Sequence, residues 1–326
     1  MSKTKIASIL VLFLMFSVVT GCNLFNKEPA KTPEEVVRSA MINSQNIKTA
    51  TVNVVMNGSV VNEAGAVKQQ VDLNLNVAEK FDINDAKNPK LDIDMAGDVT
   101  IEGKKYNGEV GLRMMNRKMY FSILKYPDPK EFPDMAMVAT FADKWFFLSM
   151  DEVGQTVPLM SLDEASMTPE MKQIKKEAQK TNFFKDLKYV GTEDASGESA
   201  YKYTGSIDMD KVYAFIDKIS EINKKTQTEE EKAQIKKALS GLNIPLTLWV
   251  SVDDEVMLKV AGTINYNDAD TKVSAKIDFT SDVLGIGKDV VIEEPKNPVD
   301  LKQVISSMMG GAAAGADDVV LPAPTK

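Results

Sequence analysis

The chain has 326 residues, no histidine, a single cysteine and a formal charge of −8. Without histidine or a spare thiol, Ser-His and Cys-His catalysis and nearly all zinc sites are excluded, and no motif points to a carboxylate or Ser-Lys enzyme. The acidic balance disfavours nucleic acid and anionic lipid surfaces as partners of the folded body.

The N-terminus has the three parts of an export signal. Lys3 and Lys5 form a basic head, Ile6 to Val19 is an uncharged apolar run, and Val19-Thr20-Gly21-Cys22 places small residues before the cysteine. That apolar run of about 14 residues is short of the roughly 20 needed to span a bilayer core as a helix. The closing tetrad resembles the lipobox of bacterial lipoproteins. The resemblance implies that residues 1–21 are a signal peptide removed on export, and that Cys22 carries diacylglycerol and often a further acyl chain such as palmitate. The protein is then held on the extracytoplasmic face of a bacterial membrane. Two or more chains suit stable anchoring, because each buried methylene contributes about 0.8 kcal/mol and one chain holds only marginally.

Residues 22–31 read as the lipidated cysteine and a tether. Thr32-Pro33-Glu34-Glu35 predicts a helix start with a capping box, and Val36, Val37, Ala40, Met41 and Ser44 share one helical face. From Thr49 to about Leu124 the period becomes two. Val71, Leu73, Leu75 and Val77 alternate with polar residues, as do Leu91, Ile93, Met95, Val99 and Ile101, then Tyr106, Val110, Leu112 and Met114, then Met119, Phe121 and Ile123. Such alternation predicts antiparallel strands with one wet and one buried face, joined by turns such as Glu102-Gly103.

The middle of the chain is less regular. Trp145-Phe-Phe-Leu reads as a strand, Thr168-Pro169-Glu170 caps a helix to about Ala178, and a strand pair lies near Tyr189–Gly191 and Ser199–Gly205. Met209, Val212, Tyr213, Ile216 and Ile219 make the apolar stripe of a second long helix, and a third begins at Thr228 and ends near Gly241. Alternation returns from Ile244 to Phe279, and Val290 to Ile292 predicts a last strand. Residues 32–296 are expected to form a single domain, with 297–326 a C-terminal segment disordered from about residue 310.

Ten to twelve strands with one apolar face and only three or four helices to cover it predict an α+β fold. The expected form is a large curved antiparallel sheet, an unclosed half-barrel, wrapped around a few amphipathic helices. The order of elements resembles the fold of the lipoprotein carrier LolA and the lipoproteins LppX and LprG. That resemblance spans roughly residues 32–296 and rests on the first helix before a long meander, on Tyr189-Val-Gly-Thr-Glu followed by Gly197 and Tyr201-Lys-Tyr, and on Leu246-Thr-Leu-Trp249-Val-Ser-Val-Asp253. It implies a cavity for acyl chains beneath helical lids and no fixed set of ligand contacts.

Candidate ligand contacts are therefore apolar residues of the inner face and of the Met-rich segment: Met95, Met114, Phe121, Met135, Met137, Met160 and Met171. Methionine is polarizable and adapts to greasy ligands, but it equally fills gaps in an irregular core. The acidic clusters Asp82-Ile-Asn-Asp85 and Asp92 to Asp98 lack calcium-loop spacing and read as a solvated strand face. Trp249, opposite Leu248 and Val250, packs beneath a helix or marks a partner patch. No cofactor, metal or nucleic acid is expected. Two functional readings remain: a membrane-anchored envelope protein that binds or shuttles an acyl chain, lipid or lipoprotein lipid moiety, and a non-enzymatic envelope scaffold with a filled core and an unknown protein partner.

Overall fold

The structure, a computed structural model, describes residues 31–65, 68–128, 141–150, 167–225 and 227–310. The capping box expected at Thr32 is present: its side chain accepts from the Glu35 N–H, and the Glu35 carboxylate accepts from the Thr32 N–H at 2.8 Å. It starts α1 (Pro33–Ser44), whose Val36, Val37, Ala40 and Ser44 are buried as their spacing predicts. The meander follows as β1 (Thr49–Asn62), β2 (Gln69–Asp82), β3 (Lys90–Ile101), β4 (Lys104–Met115), β5 (Lys118–Lys125) and β6 (Trp145–Ser149). Next come α2 (Pro169–Lys180), β7 (Phe184–Ala195), β8 (Glu198–Ile207), α3 (Met209–Ile222) and α4 (Glu229–Ser240). The chain continues as β9 (Leu242–Asn243), β10 (Pro245–Ser251), β11 (Met257–Asp268), β12 (Val273–Leu284), β13 (Val299–Asp300) and α5 (Leu301–Gly310).

Among the described residues thirteen strands belong to one sheet, ordered β13-β6-β5-β4-β3-β2-β1-β12-β11-β10-β8-β7, with β9 paired to β11. The ends of the order, β7 and β13, are not paired with each other, so the sheet is the expected unclosed half-barrel. Tight turns hold its hairpins in register. Glu102 and Gly103, Asn116 and Arg117, and Ser196 and Gly197 all have positive φ, the two-residue geometry whose twist matches that of antiparallel strands.

Curvature has a local cause at inner-face glycines. A Cβ on Gly58 would stand 2.3 Å from the Lys276 carbonyl oxygen, and one on Gly262 would stand 2.6 Å from Leu246 Cδ2 and 2.9 Å from the Phe279 ring. The missing side chains let neighbouring strands fold over one another.

Among the described residues, helices fill only one half of the inner face. Val36, Val37 and Ala40 of α1 pack with Leu187, Tyr203, Leu246, Leu248, Val250, Ile264 and Ile277, joined by Met209 and Val212 of α3. The core therefore lies against β7, β8 and β10–β12 and reaches β1 only at Met56. Helix α2 packs on α3 and α1, with Phe183 just beyond it edge-on to Phe215 of α3 at 5.1 Å.

One expected strand is absent. Residues 290–292 form an unpaired strap across the outer face, where Ile292 packs with Met115 and Tyr120 while Val291 is exposed. Their apolar alternation is satisfied by side-chain packing in place of a ladder. The Tyr120 hydroxyl donates to the Glu294 carboxylate, Asn116 donates to it at 3.1 Å, and Arg113 donates to the Glu293 carbonyl at 3.3 Å. The strap delivers Val299–Asp300 to pair in parallel with Phe146–Phe147, followed by α5, two elements that the sequence reading did not foresee.

One chemical change at two glycines should have unequal effects. Gly58→Ala should lower stability by about 1–3 kcal/mol in urea unfolding, the cost of overpacking. Gly108→Ala, whose added Cβ would meet only the Lys125 carbonyl oxygen at 3.8 Å, should be neutral or slightly stabilising.

Candidate functional site

The other half of the inner face, on β1–β6, is apolar and incompletely covered. Strand register sorts its side chains into rows. At one end Ala50, Phe81, Leu91, Met114, Met119 and Leu148 stand in line across β1–β6. Ala50, Phe81 and Met114 of that row are buried, and Ile47 closes it from beneath together with Ala50 and Phe81. The next row is Val52, Glu79, Ile93, Leu112, Phe121 and Phe146, and the one after it Val54, Val77, Met95, Val110 and Ile123. Further rows run through Leu75 and Leu73 to Val60, Val71 and Ile101, the last of which is 41% exposed.

Along β2 the alternation is visible in exposure itself. Val71, Leu73, Leu75 and Val77 are half-buried, while Asp72, Asn74, Asn76 and Ala78 are exposed. The outer face is polar and internally paired: Asn74 donates to Asn57 at 2.6 Å, and Lys105 meets Asp98 at 3.0 Å. The inner rows thus form an apolar gutter, closed at the Phe81 end and open toward Ile101. Its aromatic wall is Phe121 stacked on Phe146 at 5.5 Å, with Phe141 edge-on to Phe146 at 5.6 Å.

Three of the residues chosen from sequence meet on this face. Met95 and Phe121 are half-buried in the gutter, and Met114 is 5% exposed within the closing row, where it is packed core. Met171 lies elsewhere, half-buried in the first turn of α2, where its N–H donates to Thr168 Oγ1 at 3.2 Å. Met135, Met137, Met160 and Cys22 fall outside the described residues. No helix among the described residues is long and apolar enough to cross a membrane.

Glu79 was missed. Its inward position follows from the same period that places Val71, Leu73, Leu75 and Val77, with Phe81 as the next apolar member. It stands between Val52 and Ile93, and no hydrogen bond or ion pair engages its carboxyl among the described residues. Burial alone pushes its pKa up to about 7, and no neighbouring charge contributes.

The remaining polar clusters have structural roles. Asp92 pairs with Arg113 at 2.8 Å, and the Arg113 guanidinium lies 4.7 Å from the centre of the Trp145 ring. Asp82 and Asp85 accept from the backbone N–H groups of Asn84 and Lys87 in the β2–β3 turn. Among the described residues no three acidic, histidine or cysteine side chains gather as a metal site. Trp249 is buried on the outer face beside Ala195, Ala200 and Leu258, donates to Glu193 at 2.6 Å and is flanked by Lys202 and Lys259. It packs within the sheet and not under a helix. A recess between α3 and α4 is walled by Lys225, Gln227, Glu231, Gln234 and Ile235, a polar lining unlike that of the gutter.

Glu79 gives stability a distinct pH dependence. Its folded pKa of about 7 lies above the ordinary 4.5, so the folded state binds the proton more tightly than the unfolded chain. The fold is favoured below pH 4.5 and loses about 3 kcal/mol from this group as pH rises through 7. Glu79→Leu should therefore raise the melting temperature by several degrees at pH 8 and by much less at pH 5. Equal shifts at both values in calorimetric melts would exclude a buried, unpaired carboxyl.

No protein-family model and no curated protein matches the chain. Among solved structures it is similar to the lipoprotein LppX of Mycobacterium tuberculosis, at 15% identity and a TM-score of 0.33 over 82% of this chain and 100% of that one. It is also similar to LprF of Mycobacterium bovis, at 14% identity and 0.36 over 81% and 96%. A further likeness is to the MucA/MucB complex of Pseudomonas aeruginosa, at 9% identity and 0.21 over 79% and 56%.

Proposed function

We propose that this protein is a non-enzymatic, lipid-anchored envelope protein that shelters an acyl chain or similar hydrophobic ligand in the gutter of β1–β6. The observation that carries this reading is the division of one continuous apolar face. The β7–β12 half is filled by α1 and α3, whereas Val54, Val77, Met95, Val110, Leu112 and Ile123 stay half-buried. A scaffold with a filled core has no reason to leave those rows incompletely covered, because each apolar side chain withdrawn fully from water contributes about 1.5–3 kcal/mol.

The gutter suits its proposed cargo in shape and length. From Glu79 to Val71 it runs eight residues, about 26 Å at the rise of an extended strand. That exceeds the length of one acyl chain, which fills half of a bilayer core about 30 Å thick. Its walls are aliphatic, methionine and phenylalanine side chains, so binding would be driven by area and would require no chemistry on the ligand. Anchoring through Cys22 supports the same reading, since a tethered body would meet lipid at the membrane surface.

Native mass spectrometry of the full chain extracted from its own membrane should show a second lipid travelling with the covalently attached one. Met95→Lys should reduce uptake of a fluorescent fatty-acyl probe at least tenfold while the melting temperature moves little, because Met95 is half-buried and a lysine can turn its charge to water. Uptake equal to that of the parent would exclude the gutter as the binding site. Cys22→Ser should abolish both lipid labelling and signal removal in cells; full retention of the variant in membranes after an alkaline wash would overturn the lipid anchor.

A further inference from the structure

The inner face of β1–β6 and β12 is apolar from the closing row to the open end with one deep exception. Across those strands the other ionisable side chains at its register positions among the described residues are Tyr106 and Lys104, set toward the far end. Glu79 stands alone one row above the buried Phe81 and Met114, flanked by Val52 and Ile93 across the strands and by Val77 and Phe81 along its own. Lys80, Asp92 and Asp94, its nearest charged neighbours in sequence and across the strand pair, belong to the opposite face.

An apolar residue there would complete the row at no cost. A carboxyl half-buried in an apolar row, with no partner among the described residues, is unfavourable, and the deficit is removed when a ligand brings a donor or a positive charge. We propose that Glu79 is the head-group anchor of the gutter and that its ligand is an amphiphile bearing a basic amine. This rests on the carrier reading and specifies it.

The sign of the charge decides the ligand class. A phosphate or carboxylate head placed beside Glu79 would meet a like charge, and among the described residues no cation lies on this face near it to compensate. An ammonium forms a charge-assisted hydrogen bond with the carboxylate and satisfies both groups in a half-buried apolar setting. The head then lies at the closed end, and the chain runs along the strands through Val77, Leu75 and Leu73 toward Val71. Burial pushes the unoccupied carboxyl up to about 7, so amine binding releases a proton below that value and becomes stronger as pH rises toward it.

Isothermal titration of the full-length chain with dodecylamine, dodecanol and dodecanoate, each below its micelle concentration, tests this. At pH 8 the amine should bind at least tenfold more tightly than the alcohol and the carboxylate. Its affinity should fall by up to tenfold for each pH unit below 7. Glu79→Gln keeps the shape and removes the charge; it should cost the amine at least tenfold, abolish its pH dependence and leave dodecanol unchanged. General attraction of cations to an acidic protein would survive Glu79→Gln, and that result would overturn the anchor. Equal affinity for all three ligands in the parent would also overturn it while leaving the carrier reading intact. Failure of all three to bind would remove both.

Discussion

Among the described residues, the fold depends on a mismatch between one long apolar sheet face and the helices that cover it. Thirteen strands present a continuous inner surface, and α1 and α3 bury only the part that faces β7, β8 and β10–β12. A flat sheet would leave the remainder open to water. Bending it at positions such as Gly58 and Gly262 brings the uncovered rows into a gutter, where their side chains shield one another. Curvature thus reduces the exposure that partial cover by the described helices leaves, and a concave apolar surface results.

Stability is correspondingly uneven. At the filled half, Val37, Val250, Leu248 and Tyr203 are sealed from solvent, and α1 is joined to the β10–β11 corner by Ser44, whose hydroxyl accepts from the Met257 N–H at 2.8 Å. At the other half the inner face offers fewer sealed contacts, and much of the reinforcement comes from outside. The strap at 290–294 packs Ile292 against Met115 and Tyr120, and Glu294 gathers the Tyr120 hydroxyl, Asn116 and Lys118. Reinforcement from the polar side holds β4–β6 without filling the gutter behind them. The gutter can therefore remain open while the strands that form it stay fixed.

Much of this architecture was legible in the sequence because period-two alternation is long and regular from Val71 to Ile123. The helix starts at Thr32, Thr168 and Thr228 were equally readable, since each cap is a local arrangement of hydroxyl and backbone N–H. What could not be read was the apportioning of helices. Val36 and Val71 are both inward apolar residues, yet one is sealed beneath the sheet and the other half-open, a difference set by contacts between distant parts of the chain. The strap shows a similar limit: Val290 to Ile292 has the composition of a strand, and only the position of Met115 and Tyr120 explains why it packs by side chains and forms no ladder.

Glu79 is the instructive case among the candidate residues. Of the candidate methionines that are described, Met95 lies in the gutter, Met114 is core and Met171 belongs to a helix packed on other helices. The more specific signal was one charged residue at an inward position of an otherwise apolar strand. Frequency identifies a surface that tolerates many shapes, whereas a single break in an alternating pattern marks a place where the fold accepts a destabilising group. Such a group is retained without penalty only if occupancy supplies what the empty protein lacks. Under the proposed function, the partner that Glu79 lacks among the described residues is a positive charge or donor, which is why the polarity of the ligand, and not only its apolar length, can be argued from the position of this carboxyl.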